Sequence, residues 1–210
     1  MTEERVWLDD RSWVDVVRGF VPDAAELYEA LVERASWTQG RLWRYERWVD
    51  EPRLTSWVRP GDGRELPHPA LLDVHRAVRA RYGKPFDGFA LAHYQSGDDL
   101  MAFHRDRDLR WLDDTVVALA VLGHRRPFHV RPRANRYAHE APNKGATHAF
   151  HPGEGDLLVM GGACQVGWEH GVPQVPGLRA GRMSLQWRWT SRTGRQEVGG
   201  SYRAPRHFSR

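Results

Sequence analysis

The segment Phe103–Asp108 (FHRDRD) carries the side chains with the clearest metal-binding chemistry in the sequence. In a β-strand, successive side chains point to opposite faces, so His104, Asp106 and Asp108 would share one face. An imidazole and a carboxylate on one face can bind a single ion from the same side. A second histidine from elsewhere would complete a two-histidine, one-carboxylate set, which leaves positions open on iron(II) for a cosubstrate and O₂. Zinc or manganese would also accept these ligands, and eleven histidines leave the third ligand open from the residues alone.

A second candidate segment is Arg182–Thr190 (RMSLQWRWT), in which polar and apolar residues alternate. A strand here would carry Arg182, Ser184, Gln186 and Arg188 on one face and the apolar side chains on the other. If the strand lies in a closed or two-layer sheet, its polar face lines an internal cavity. Buried arginines are costly unless an anion neutralises them, and a dicarboxylate would do so. The alternative is a half-exposed strand with solvated arginines.

Composition is that of a soluble globular protein, because 40% of the 210 residues are hydrophobic and 28% are charged. The formal net charge is +4, and nearly all of the basicity is arginine, since the chain has only two lysines. Arginine suits contacts to carboxylate and phosphate, so a polyanionic partner such as nucleic acid is one interpretation and a solvated surface is the other. Cys164 is the only cysteine, and no secretion signal or membrane-spanning run is apparent. We expect a cytoplasmic protein with no membrane association.

Helical patterns precede a series of short strands along the chain. Residues 22–37 and 70–82 have the spacing of amphipathic helices, and Gly83 would end the second one. Residues 51–69 are interrupted by proline and glycine, which favours a loop around a short strand at Leu54–Val58. Residues 131–155 indicate a long loop. Further strands are predicted at Phe89–Tyr94, Leu100–Asp106, Thr115–Leu122, Phe128–Val130, Asp156–Met160 and Arg182–Thr190.

The pattern as a whole predicts a mainly β protein with flanking helices, of the α+β class. We expect a single domain over residues 1–190, with a helical and loop part at 1–85 and a β core at 86–190. Residues 191–210 would form a basic, flexible tail.

The order of these segments resembles the AlkB family of 2-oxoglutarate- and iron(II)-dependent dioxygenases over residues 52–190. The resemblance implies a double-stranded β-helix, or jelly roll, with the N-terminal helices packed outside. The motifs that carry it are the Tyr94-x-x-Gly97 turn, His104-x-Asp106-x-Asp108, the buried strand ending at Leu122-Gly123, the strand Gly155-Asp156-Leu157-Leu158, His170 followed by Gly-Val-Pro, and the closing Arg182-x-Ser184-x-Gln186-x-Arg188.

The same resemblance implies a metal site in which His104, Asp106 and His170 bind Fe(II) and act in catalysis. The implied cosubstrates are 2-oxoglutarate and O₂. The enzyme would be a non-haem iron oxidoreductase.

Binding of the cosubstrate is implied for residues of two strands. Arg182 would pair with the distal carboxylate of 2-oxoglutarate, and Arg188 would contact its metal-chelating end. Tyr94 would donate a hydrogen bond, and Ser184 would retain one where relatives have asparagine. Ala92 stands where the family usually has another asparagine and has no hydrogen bond to offer.

The substrate implied by the resemblance is alkylated DNA or RNA, demethylated at the nitrogen atoms of its bases by a monomeric enzyme. Asp108 resembles the acidic residue that contacts the exocyclic amine of a base. Trp57 would either stack on the substrate ring or serve only in packing. Ala92 and a short segment over the site leave open a protein, lipid or small-molecule substrate. A non-catalytic jelly-roll binding module is the third possibility.

Overall fold

A computed structural model describes residues 2–44, 46–61, 63–106, 109, 112–133 and 147–191. Its elements in chain order are β1 (Glu3–Trp7), β2 (Ser12–Val17), α1 (Ala24–Arg34), β3 (Thr38–Arg44), β4 (Arg47–Val58), α2 (Ala70–Tyr82), β5 (Phe89–Tyr94), β6 (Met101–His104), β7 (Thr115–Gly123), β8 (Phe128–Pro132), β9 (His148–Phe150), β10 (Leu157–Gly162), α3 (Cys164–Gly167), β11 (Trp168–Val172) and β12 (Arg182–Thr190).

The strands form two antiparallel sheets. The major sheet has the order β1-β2-β10-β7-β12-β5-β4-β3, and the minor sheet has the order β6-β11-β8-β9. Apolar residues of both sheets share one core, which includes Val117 and Leu119 of β7 and Phe128 and Val130 of β8. The two sheets therefore pack on each other as a jelly roll, which confirms the predicted fold class.

The other face of the major sheet is covered by α1 and α2. Leu27 and Leu31 of α1 and Leu71 of α2 lie in a second core with Ala118 and Leu122 of β7. The sheet residues at even positions of β7 thus face the helices, whereas the odd positions face the minor sheet. This arrangement explains the continuous apolar run of β7, which is buried on both faces as predicted.

Both predicted helices are present, and α2 ends at Gly83, whose φ of 60° is the left-handed conformation that favours glycine. None of the helices in these described ranges has the length and apolar character needed to span a membrane. The predicted strands between 86 and 190 are also found, with ends shifted by one or two residues.

The N-terminal part differs from the expectation, because strands β1 to β4 occupy much of it and extend the major sheet. Strand β2 was not predicted because Asp15 interrupts its apolar run. In the structure this carboxylate is buried and is neutralised by Arg5 of β1, whose Nε lies 2.6 Å from Oδ1 of Asp15. In the β3–β4 hairpin the pairing shifts register between Gln39 and Arg41, which accommodates Pro52 in a strand. Strands β9 and β11 were also not anticipated. Most of the predicted loop at 131–155 and nearly all of the tail, residues 134–146 and 192–210, lie outside the described residues.

Candidate metal centre and cosubstrate pocket

Two strands of the minor sheet bring the candidate metal ligands together. His104 at the end of β6 lies directly opposite His170 of β11 in the antiparallel register, and Asp106 follows β6 by two residues. One ligand atom from each of the three residues lies within 4.8 Å of the others. The Nε2 atoms of His104 and His170 are 3.6 Å and 4.0 Å from Oδ1 of Asp106. The three side chains that the sequence singled out could therefore hold one ion.

Neighbouring groups orient these ligands. The Nδ1 atom of His104 donates to the carbonyl oxygen of Ala102 at 2.9 Å, which leaves Nε2 available to a metal. The backbone N–H of Asp106 donates to Oε1 of buried Gln165 in α3 at 2.8 Å. Nε of Arg188 donates to Oδ2 of Asp106 at 2.7 Å. Contacts of this kind fix the direction in which each ligand points.

The electrostatic environment favours the ligating forms of Asp106 and His170. Burial opposes ionisation of Asp106, but the charge of Arg188 and its hydrogen bond to the carboxylate hold the pKa of Asp106 well below the usual value. Burial, reinforced by His104, lowers the pKa of His170 to about 3. An anionic carboxylate and a neutral imidazole are the forms that bind a metal ion.

Arg182 lies in the same pocket, on β12 opposite Tyr94 of β5. The side chain is only 1% exposed, and its Nε and Nη2 atoms have no hydrogen-bond partner among the residues that the structure describes. Burial lowers the pKa of Arg182 to about 10, which reflects the cost of a cation with no counterion. A ligand carboxylate would supply the missing partner. The donor set at this end of the pocket therefore fits 2-oxoglutarate, and the metal ligands fit iron(II).

The pocket between these groups has about 380 Å³ of open space, counting the solvent at its mouth. Its polar lining consists of Arg53, Tyr94, His104, His170, Arg182, Ser184, Gln186 and Arg188. Val117, Leu119, Phe128 and Val172 form apolar walls.

A chain of hydrogen bonds runs along the polar face of β12. Nε2 of Gln186 donates to Oγ of Ser184 at 2.9 Å, and Nη2 of Arg188 donates to Oε1 of Gln186 at 3.0 Å. Arg188 then reaches Asp106, so this chain ends at a candidate metal ligand. The hydroxyl of Ser184 accepts from Gln186 and keeps its own proton to donate into the pocket.

Sequence reasoning missed Arg53 of β4 as a pocket residue. Its Nη1 donates to the hydroxyl of Tyr94 at 3.3 Å, which leaves the phenolic proton free to donate elsewhere. The available signal was the alternation of Arg53, Thr55 and Trp57 along one strand face, which the prolines of this region obscured. Gln165 was also missed, and no local pattern indicates it.

Of the two candidate substrate contacts, Trp57 and Asp108, the structure describes only Trp57. Trp57 is 75% exposed, so the packing-only interpretation is wrong. It pairs in register with Ala90, which pairs with Gln186, so Trp57 projects from the sheet face that lines the pocket. Asp108 lies outside the described residues.

Comparison with known sequences gives one family. The profile described as "2OG-Fe(II) oxygenase superfamily" matches residues 21–188. "Alpha-ketoglutarate-dependent dioxygenase alkB homolog 3" of Bos taurus is 25% identical over 192 residues, covering 81% of this chain and 63% of the relative. The Homo sapiens protein of the same name is 24% identical over 188 residues, covering 80% and 62%. The chain thus spans less than two thirds of the length of these relatives.

Solved structures share the fold at low sequence identity. A Trichoplax adhaerens prolyl hydroxylase, in complex with a hypoxia inducible factor peptide, matches with a TM-score of 0.58 and 14% identity, covering 83% of each chain. OsALKBH1 matches with a TM-score of 0.52 and 16% identity, covering 84% of this chain and 97% of that one. The chain belongs to the 2OG-Fe(II) oxygenase superfamily, it is similar in sequence to the alkB homolog 3 proteins, and its clustered ligands and buried arginine fit the iron(II) and 2-oxoglutarate of that superfamily.

Proposed function

We propose that this protein oxidatively removes alkyl groups from the nitrogen atoms of nucleobases in DNA or RNA. One observation supports the chemistry: the metal-ligand cluster and a buried guanidinium lie in the same pocket. The cluster is His104, Asp106 and His170, and the guanidinium is that of Arg182, two of whose nitrogen atoms have no partner among the described residues. The resemblance of the chain to alkB homolog 3 supports the substrate.

In this proposal His104, Asp106 and His170 hold the iron, and Arg182 binds the distal carboxylate of 2-oxoglutarate. Iron and 2-oxoglutarate, when bound, supply the activation of O₂. The overall reaction converts an N–CH₃ group, 2-oxoglutarate and O₂ into N–H, formaldehyde, succinate and CO₂.

Other groups of the chain position these components. Arg188 holds Asp106 in its ionised form and fixes the direction of its carboxylate. Tyr94 and Ser184 each offer a hydroxyl proton to the cosubstrate. Phe128 and Val172 exclude water from the metal side of the pocket, which strengthens the electrostatic interactions inside it.

Exposed aromatic and basic residues on β4 and on the β3–β4 hairpin support a nucleic-acid substrate. Stacking of a base on an aromatic side chain such as Trp57 is worth about 1–3 kcal/mol. The β3–β4 hairpin carries two further exposed tryptophans, Trp43 and Trp48, in an edge-to-face pair with ring centroids 5.5 Å apart. Arg41 lies over the Trp48 ring at 5.9 Å. A base must leave the nucleic-acid double helix to reach a pocket inside the protein. Exposed aromatic side chains of this kind are surfaces on which such unpaired bases stack.

The test is formaldehyde release from oligonucleotides that carry N-methylated bases, with iron(II), 2-oxoglutarate and O₂. We expect turnover by the wild type and by His124→Ala, which removes an exposed histidine outside the pocket. His104→Ala should lose turnover because one metal ligand is missing. No turnover by the wild type, or full turnover by His104→Ala, would reject the proposal.

A protein, lipid or small-molecule substrate for the same chemistry is the second candidate. Ala92 favours it, since this residue is buried opposite Ser184 and cannot form the hydrogen bond of the usual asparagine. Succinate formation that is stimulated by another compound, and not by methylated oligonucleotides, would support this candidate over the first.

A further inference from the structure

A second groove lies on the helix side of the major sheet, away from the iron pocket. It is bounded by α2, by the segment after β4 and by the segment before β5. Pro60 and Phe86 contribute apolar walls. The charged residues that line it are Arg59, Arg76, Arg79 and Asp87.

The groove has an excess of positive charge. Among the residues that the structure describes, no carboxylate forms an ion pair with Arg59 or Arg79, although many arginines elsewhere do pair with one. Arg76 contacts Asp73 at 3.4 Å, and both side chains are exposed. Arg76 and Arg79 are three residues apart on α2, where like charges repel. Asp87 offsets only part of this excess.

His75 adds an uncharged donor to the groove. Its side chain is 4% exposed, and its Nδ1 accepts a hydrogen bond from Nε1 of Trp187 at 2.9 Å. Burial, followed by the charge of Arg79, lowers the pKa of His75, so the ring is neutral. Because the indole N–H can only donate, the proton of the neutral ring is on Nε2. In the described part of the chain this N–H has no acceptor, and His75 lines the groove.

We propose that this groove binds a phosphate group through Arg59, Arg79 and the Nε2–H of His75. Two guanidinium groups and a neutral N–H present more donors than the two oxygens of one carboxylate can accept. A phosphate monoester or free phosphate offers at least three terminal oxygens and about −1.5 to −2 charge at neutral pH, and a phosphodiester offers two terminal oxygens and one charge. Arginine binds the oxygens of either form in bidentate fashion. The phosphate belongs either to a nucleic-acid backbone or to a small phosphorylated molecule, inorganic phosphate included.

The first experiment measures inorganic phosphate binding by calorimetry, with chloride used to match the ionic strength. The protein is full length and loaded with iron(II) and 2-oxoglutarate without oxygen, so that the catalytic metal is already occupied. Arg79→Gln and Arg34→Gln each remove one exposed arginine at or near the end of a helix and are matched in charge. We expect saturable binding by the wild type and Arg34→Gln, and a loss of about tenfold or more in Arg79→Gln.

Absence of saturable binding, or an equal loss in both variants, overturns the proposal. Arg79→Lys separates binding from folding, because it keeps the charge but not the bidentate geometry. It should retain an intermediate affinity, and circular dichroism should show unchanged folding in all variants. The proposal is also overturned if the single variants Arg79→Lys and Arg59→Gln both bind inorganic phosphate as tightly as the wild type.

A second titration distinguishes the two sources of phosphate. Unmodified oligothymidylate is titrated at several salt concentrations against the wild type and Arg79→Gln. If the groove binds a nucleic-acid backbone, inorganic phosphate competes with the oligonucleotide for the protein. The slope of the logarithm of the binding constant against the logarithm of the salt concentration is then smaller in magnitude by about 0.7 in Arg79→Gln than in the wild type. If neither effect occurs, the ligand that calorimetry detects is a small phosphorylated molecule. This site does not depend on the demethylation proposed above, since phosphate binding is measured without turnover.

Discussion

Replacement of Arg182 by methionine should have opposite effects on the cosubstrate-free protein and on the 2-oxoglutarate complex. The guanidinium is buried and two of its nitrogen atoms have no partner, so its charge destabilises the folded protein in the absence of a ligand. In the complex, the same charge would neutralise a carboxylate. The variant removes both effects with a side chain of similar length and no charge.

The pKa of Arg182 gives the size of the first effect. The pKa falls from the usual arginine range to about 10, chiefly because of burial. Since one pKa unit corresponds to about 1.4 kcal/mol, the charged form is disfavoured in the folded state by about 3 kcal/mol. At neutral pH the side chain is protonated in both the folded and unfolded states, so this full amount acts against folding. Allowing for lost packing, Arg182→Met should raise the free energy of unfolding of the cosubstrate-free protein by about 1–3 kcal/mol.

The second effect is a loss of ligand-dependent stabilisation. At a 2-oxoglutarate concentration of about 100 Kd, binding stabilises the wild type by about 2.7 kcal/mol. If the variant binds about 100-fold more weakly, the same concentration stabilises it by only about 0.4 kcal/mol. Urea unfolding of the anaerobic iron(II) protein, with and without 2-oxoglutarate, measures both effects. Equal stabilisation of variant and wild type would refute the role of Arg182 in binding.

Arg126 provides the matched control. It is 0% exposed, but its guanidinium donates to the carbonyl oxygens of Ser96, Asp99 and Pro173, each at 2.8 Å. Arg126→Met should therefore destabilise the cosubstrate-free protein by about 3 kcal/mol or more, because buried carbonyl groups lose their donors. If Arg126→Met and Arg182→Met destabilise it equally, the distinction between a paired and an unpaired buried guanidinium is refuted.

Three further changes test other parts of the structure. Gln165→Leu should weaken iron(II) binding by about 10–100-fold, measured by anaerobic titration, because the backbone N–H of Asp106 loses its acceptor. Gly161→Ala should lower the free energy of unfolding by about 1–3 kcal/mol or more, since a Cβ there would overlap the ring of Trp13. His93→Gln should reduce the acid sensitivity of the metal-free protein. Burial lowers the pKa of His93, so its contribution to stability is lost as pH falls below about 6.5.

Gln165→Glu retains an acceptor oxygen and should bind iron(II) better than the leucine variant; the reverse order would contradict the positioning role. Gly167→Ala should be nearly neutral, because no atom of the described residues outside the adjoining backbone lies within 4 Å of the added Cβ. For His93, the fall in unfolding free energy from about pH 7.5 to about pH 5.5 should be smaller in the variant, by up to about 1.4 kcal/mol, the most that one proton contributes over the pH unit below 6.5. An identical fall in both proteins would contradict the reasoning.

The sequence alone determined the features that depend on local periodicity. The alternation along Arg182–Thr190 follows from the geometry of a strand and needed no partner strand to be recognised. The same holds for the two helices and for the apolar run of β7. The spacing of His104 and Asp106 was interpreted in the same way, although the strand ends at His104 and Asp106 lies just beyond it. These features indicated a metal site, an anion site and a mainly β fold with flanking helices, whereas the family resemblance implied iron(II), 2-oxoglutarate and the jelly roll.

The tertiary structure decided which distant residues join the local motifs. The register between β6 and β11 places His170 opposite His104, and the pairing of β4 with β5 brings Arg53 to Tyr94. Arg188 of β12 in the major sheet donates a hydrogen bond to Asp106, which follows β6 of the minor sheet. Each depends on strand pairing or sheet packing between segments far apart in the chain. A strand shifted by one residue would have the same composition but turn its side chains to the opposite face, so local sequence cannot specify these contacts.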